Sequence, residues 1–307
     1  MLLAFSLLLC AAGAVHAQDR HPTCWRPRRR VEWNTLKKHE KEAYFNAEKC
    51  LLSKPSRDHF VGAVTRYDDL IFPHQQQGNV LGGTDTWHGT GQFLAVHRFY
   101  LLAHETLLRE ECGYTGPIPY WNELPDAGNF TASRVIHDFG GEGAPIPDGP
   151  FSNLTVNLGP GGSHIPHFLS REVNETYSAL GGQANYDLVF GKSGFGDFQR
   201  TILVTLHVGG HDGVGGDMLD FMTSPVDPLF WMHHAYIDML WWKWQGSNSS
   251  RINDFENIGY ETMFEPLSGY TNTTKDTLLS VYGIIPDASV GDVLKTEGGY
   301  LCYIYDI

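Results

Sequence analysis

The chain has 307 residues, 42% hydrophobic and 19% charged, enough for one large domain or two small ones around a buried core, which excludes wholesale disorder. Its formal charge of -13 would repel a phosphate backbone, so no nucleic acid partner is expected. The one basic cluster, Arg26, Arg28, Arg29 and Arg30, reads as a local surface patch.

Residues 1–17, MLLAFSLLLCAAGAVHA, are an apolar run ending in small residues, with Val15 and Ala17 at the cleavage positions. They read as a signal peptide, although the usual positive start is missing. The run is too short for a membrane anchor, and no later stretch has the apolar length of a span. Residues 18–307 are then the catalytic domain of a secreted, extracellular chain. With Cys10 removed, Cys24, Cys50, Cys112 and Cys302 remain, an even set that predicts two disulfides with three possible connectivities. Sequons at Asn129, Asn153, Asn174, Asn248 and Asn272 predict a glycoprotein.

Periodicity predicts a helix over 31–52. A second is expected over 58–76, where Phe60, Val61, Val64, Tyr67, Leu70, Ile71 and His74 form one stripe, with a kink at Pro73. A third spans 91–111 and stops at Cys112-Gly113. From 122 to 196, Gly and Pro are frequent and periodicity fades, as in a long functional or decorative loop. Helical character returns at 197–208 and 228–245, while 250–307 has no clear assignment. The readable part is all-α.

Fourteen histidines follow residue 17. His207 and His211, in LHVGGHD, are four apart and would share one helix face. Gly209 and Gly210 weaken that helix by about 1 kcal/mol each, a cost a bound metal would offset. A pair of surface loop histidines fits this motif equally well. His88 and His97 are nine apart, roughly 900° around a helix, so both can serve one metal only if His88 precedes the helix. Gly89, Thr90 and Gly91 supply that break, and Arg98 turns away from His97. His104 lies about 10 Å further along the axis and reads as core or as support. His233 and His234 sit in SPVDPLFWMHHAYIDMLWWKWQ, about 100° apart on a helix, so one is a ligand and the other a buried neighbour. Asp238, one turn beyond His234, is placed to hold a ring nitrogen. Helical histidines at 74, 97, 207, 211 and 234, with His88 at a helix entrance, suit copper or zinc. Two facing three-histidine sites suit a redox pair of coppers better than structural zinc.

DPLFWMHHAYID resembles the second-copper motif of the tyrosinase and catechol oxidase family, in which the later His and the Asp four residues beyond it are fixed features. HGTGQFLAVHRFYLLAHE resembles the first-copper motif: a His, four residues, Phe, then His-Arg, with Glu105 eight after that His. Val96 departs from the Phe or Trp usual there. The likeness runs from Val31 to Gln245 and is similar in shape to short secreted fungal members. It implies a mainly α fold, a four-helix bundle holding a dicopper site, with long irregular loops. Two copper ions are implied, the first on His74, His88 and His97 and the second on His207, His211 and His234. His59 competes with His74. His233, Asp238 and Glu105 are implied to support the ligands.

The resemblance also implies dioxygen and small phenolic substrates, with an o-diphenol oxidised to an o-quinone and water formed. Many tyrosinases carry a Glu shortly before the first ligand of the second copper, and strong monophenol hydroxylases often have Asn just after that ligand. Here 191–206 contains no Glu, only Asp197 and Gln199 as polar candidates, and the following residue is Val208. Both differences favour catechol oxidation. Asp212 is a candidate base. Thr86 stands where some members have a thioether cysteine, so all four cysteines stay available. Pairing Cys24 with Cys302 would tie the chain ends and leave Cys50 with Cys112. Val208, Met218 and Phe221 are expected at the substrate pocket, the latter two overhanging its entrance, while His164 and His167 read as solvated loop residues. The chain ends at 307, too soon after His234 for the covering domain of larger relatives. A monomer or weak dimer is expected. The alternatives are a monophenol-hydroxylating tyrosinase, an o-aminophenol oxidase, a haemocyanin-like oxygen carrier and a glycoprotein that has lost its metal.

Overall fold

Arg28–Glu32 is a strand, β1, where the sequence pattern suggested the opening of a helix. It pairs in parallel with Pro119–Tyr120 (β2) and Tyr303–Tyr305 (β3), in the order β2-β1-β3. Both partners are remote in sequence, and a parallel ladder leaves no local trace. The computed structural model describes residues 24–79, 85–255 and 258–307, so the leader expected at 1–17 lies outside the described residues.

The first helix, α1, runs Lys38–Ser53, and the Glu40 carboxylate closes its first turn by accepting the Lys37 N–H at 2.8 Å. Helix α2, Arg66–Gln77, starts eight residues later than the apolar stripe suggested. Thr65 and Asp68 form a reciprocal cap: the Thr65 hydroxyl accepts from Asp68 N at 3.1 Å and the Asp68 carboxylate from Thr65 N at 2.7 Å. Val61 and Val64, which seemed to extend the stripe, are exposed loop residues. The helix continues through Pro73.

Helix α3, Phe93–Glu110, matches its sequence signal. The 122–196 segment holds short turns of helix, a two-stranded ribbon and helix α4, Gln183–Phe190. Next comes a rod of three pieces: α5, Phe195–Ile202; a π-helical turn, Leu203–His207; and α6, Val208–Val214. Helix α7, Leu229–Gly246, is apolar all round, as a central helix must be. The fold is mainly helical, with α2, α3, the α5–α6 rod and α7 as the four-helix frame.

The basic run at 26–30 is not wholly a surface patch. Arg30 is buried, its guanidinium 3.6 Å from the Tyr303 ring centroid, and it pairs with Asp238 at 3.2 Å and Glu105 at 3.3 Å. Arg98 meets the same Asp238 at 2.5 Å and lies 3.6 Å over Trp241. The Tyr303 and Tyr305 hydroxyls both donate to Asp238 at 2.6 Å. These contacts lock the last strand onto α3 and α7. Two disulfides, Cys24–Cys302 and Cys50–Cys112, fasten the chain ends and the α1–α3 pair. All five sequon asparagines are exposed. Among the described residues, no helix is long and apolar enough to cross a membrane.

Candidate metal centre

His74 comes from α2, His97 from α3, and His88 from the loop that precedes α3. Asp85 shapes that loop, its Oδ1 accepting the backbone N–H of Trp87 at 2.8 Å and of His88 at 2.7 Å. Its other oxygen lies 3.1 Å from His88 Nδ1. His74 Nδ1 donates to the Met222 carbonyl at 2.9 Å, and His97 Nδ1 to the Phe93 carbonyl at 2.8 Å. With the proton held on Nδ1, Nε2 keeps its lone pair. The Nε2 atoms of His74 and His97 are buried without a hydrogen-bond partner, and the three rings offer ligand atoms within 4.8 Å of one another.

A second group gathers His207, His211, His233 and His234 within the same limit. His207 ends the π-helical turn, and His211 follows one turn later on α6. Such turns recur where a helix must re-aim a functional side chain. His211 Nδ1 donates to the Met218 carbonyl at 2.8 Å, leaving its Nε2 just 3.1 Å from Nε2 of His234. Two imidazole nitrogens this close need a shared proton or a shared cation between them. Neither nitrogen of His207 has a hydrogen-bond partner.

His233 is set apart from this group by a partner no sequence pattern announced. Its Nδ1 lies 2.6 Å from Glu123 Oε1, both side chains being fully buried. Gly210 makes this approach possible: a Cβ there would stand 2.1 Å from His233 Nδ1. Gly210 thus serves close packing, where the sequence suggested only a weakness that a metal would offset. His97 and His234 stack across the two groups, ring centroids 4.3 Å apart, and Phe230 packs on His234 at 4.2 Å.

Burial pushes the imidazoles of His74, His97, His207, His211 and His234 well below their ordinary range, and mutual repulsion between charged rings adds to this. They are neutral at physiological pH. Unpartnered buried nitrogens cost about 1–3 kcal/mol each, a penalty that coordination removes. Five low, neutral imidazoles together with His88, and no thiolate, form a donor set suited to copper. The residues fit a metal pair.

Of the supporting residues expected from sequence, His233 is where it should be and two are not. Asp238 does not hold a ring nitrogen: Arg98, Arg30, Tyr303 and Tyr305 occupy it. Glu105 pairs with Arg30, Arg28 and Arg109, not with a ligand. Burial would raise both carboxyls, but the arginines outweigh it and hold them below the usual range. Their role is to fix the helices. His104 likewise bonds Glu48 at 2.8 Å and stacks on Trp231. His59 is exposed in a loop, which leaves His74 without a rival. His164 and His167 are half-buried, facing Gln75 and Asp217.

A chamber of about 400 Å³ opens beside both groups. Val208, Asp212, Met218 and Phe221 all line it, together with His88, His207 and His211. The Phe221 ring lies 4.4 Å from that of His88. Sequence reasoning missed Leu203, Val204 and Met263, the last arriving from the unassigned tail. It also missed Asp85, although an Asp three residues before a candidate ligand is a usable sign.

The profile of the common central domain of tyrosinase matches residues 64–247. The chain is 32% identical to a tyrosinase designated ustQ from Aspergillus flavus, over 99% of this chain and 88% of the relative. It is 29% identical to the N-acetyl-6-hydroxytryptophan oxidase ivoB of Emericella nidulans, over 90% of this chain and 92% of the relative. Its fold superposes on a polyphenol oxidase from Thermothelomyces thermophila with a TM-score of 0.81 at 28% identity, covering 93% of this chain and 90% of that one.

Proposed function

The chain belongs to the tyrosinase family, and from that premise we propose that it is a secreted oxidase of o-diphenols with little or no monophenol hydroxylation. Family members bind a dinuclear copper centre, and the two histidine groups fit one. In this reading His74, His88 and His97 hold one copper, and His207, His211 and His234 the other. Bound there, the copper pair supplies dioxygen activation and two-electron oxidation.

The observation that carries the proposal is the pairing of bare, buried imidazole nitrogens with an apolar chamber that ends on them. Neutral aromatic rings suit such a wall, and Phe221 can cover a ring seated against His88. Each diphenol gives up two electrons and two protons as its ring becomes a quinone. Two such oxidations reduce one dioxygen to two waters.

Protons leave through the chain's own groups. Asp212 lines the chamber, half-buried and without a hydrogen-bond partner, and burial raises its carboxyl above the usual range. It is placed to take a phenolic proton. The other polar candidates do not reach the chamber. Gln199 is consumed by the carbonyls of Thr90, Gly91 and Ile258 and by Leu94 N–H, while Asp197 is exposed and paired with Arg200. With Val208 in the wall, this supports catechol over monophenol turnover. Exposed Val204, Leu219, Phe221 and Met263 around the mouth favour an enzyme over an oxygen carrier, whose site must be covered.

Oxygen uptake by the copper-loaded protein, with a catechol, the matching monophenol and an o-aminophenol, tests the proposal. Rapid uptake with catechol alone is expected. Comparable monophenol turnover overturns the restriction to diphenols. No uptake from a protein holding two coppers favours the carrier.

A further inference from the structure

The chamber does not end the binding surface. A larger groove, about 700 Å³, adjoins it, and Gly89, Leu203, Val204 and Met263 line both spaces. Val204 is 63% exposed and forms the ridge between them. Beyond the ridge the groove carries Leu188, Tyr260 and the charged side chains Lys192, Asp197 and Arg200.

Charge divides the two spaces. The chamber's charged lining is acidic, Asp212 and Asp220, with no lysine or arginine. Asp220 is already used by the backbone N–H groups of Gly161 at 2.6 Å, Met222 at 2.9 Å and Thr223 at 3.1 Å. An anion is therefore repelled by Asp212 within the chamber and finds cations only past Val204. Arg200 stands one turn before Val204 on the same helical rod, roughly 6 Å along its axis. It offsets Asp197 at 2.8 Å, so Lys192 leaves the groove net positive. The Lys192 backbone is pinned, its carbonyl accepting Trp244 Nε1 at 2.9 Å and an Arg251 guanidinium N–H at 3.2 Å. That cation is held at the groove by a fixed backbone.

We propose that the substrate's ring carries an arm ending in a carboxylate, which crosses Val204 and binds in this groove at Lys192 and Arg200. The inference rests on the oxidase reading above and names the substrate class within it. A free catechol fills the chamber alone and leaves the groove unused. An arm at least one helical turn long, of the size of an arylpropanoate or an aryl amino acid derivative, spans the ridge.

The test compares KM for 3-(3,4-dihydroxyphenyl)propanoate with that of its methyl ester in the copper-loaded protein, with 4-methylcatechol as the armless reference. The acid is expected to have a KM about three- to tenfold below the ester, as exposed charge pairs allow. In a Lys192→Gln, Arg200→Gln double variant the ratio should fall to near one. Raising salt from about 0.05 M to about 0.5 M should shrink it in the unaltered protein, a reading that needs no variant to fold. Equal KM values for acid and ester, or a preference that survives both changes, overturn this inference while turnover of 4-methylcatechol upholds the oxidase reading. Failure to oxidise 4-methylcatechol at all overturns the oxidase reading and this one with it.

Discussion

Glu123 Oε1 lies 2.6 Å from His233 Nδ1, in a spot where neither side chain touches water. Burial drives both toward their neutral forms, raising the carboxyl and lowering the imidazole to about 3. The contact explains why one of two adjacent histidines in α7 leaves the second metal group: its ring is committed to Glu123 while His234 meets His211.

Copper content separates the two roles. His234→Gln should cut bound copper from two to about one per chain, while His233→Gln should keep two, its loss appearing as lower thermal stability of about 1–3 kcal/mol from the stranded Glu123. Metal analysis with a melting curve checks both. Equal copper loss in the two variants would make His233 a ligand.

Asp212→Asn removes the unpartnered carboxyl from the chamber without adding bulk. The expected result is a fall in kcat for a catechol of about 10²-fold, with copper content unchanged. Steady-state oxygen consumption beside metal analysis reads this. An unchanged kcat would hand the proton to solvent.

Asp238 is buried among Arg30, Arg98, Tyr303 and Tyr305, far from ligand duty. Asp238→Ala should destabilise the fold by about 3–5 kcal/mol by leaving two buried arginines unmatched. Chemical denaturation measures it. A fully stable variant that binds less copper would restore Asp238 to the metal centre.

Glu175 accepts hydrogen bonds from Ser178 and Thr131 hydroxyls and from the Thr131 and Phe130 amides. Partial burial would raise its carboxyl, but these donors outweigh it and hold the group down from 4.5 to about 2. A depressed carboxyl adds stability that is fully present above 4.5 and disappears as pH falls through about 2. Glu175→Gln should melt about 1–3 °C lower at neutral pH, a small shift because the group is partly exposed, with the gap closing towards pH 2. A gap that is flat with pH would remove the carboxylate from the account.

Helices α3 and α7 were legible in the sequence because long apolar stripes with histidine at ligand spacing survive in any packing. So were the six candidate ligands, and the choice of His234 over its neighbour followed from motif resemblance together with helix geometry. The start of α2 was misread, since Val61 and Val64 have the right spacing but no core to face. Strand β1 was misread because its partners lie near residues 119 and 304.

What the sequence by itself determined is chemistry that sits on one element: the ligand types, their helical spacing, the lack of a Glu in 191–206, the cysteines for two disulfides. Tertiary structure alone decided which groups meet across elements. It brought Glu123 to His233, gave Asp238 to two arginines instead of a histidine, and carried Met263 from the tail to the chamber. The physical reason is range. Periodicity and spacing report contacts within a few turns of one helix, whereas a buried polar group takes whichever partner the packed chain delivers, however distant in sequence.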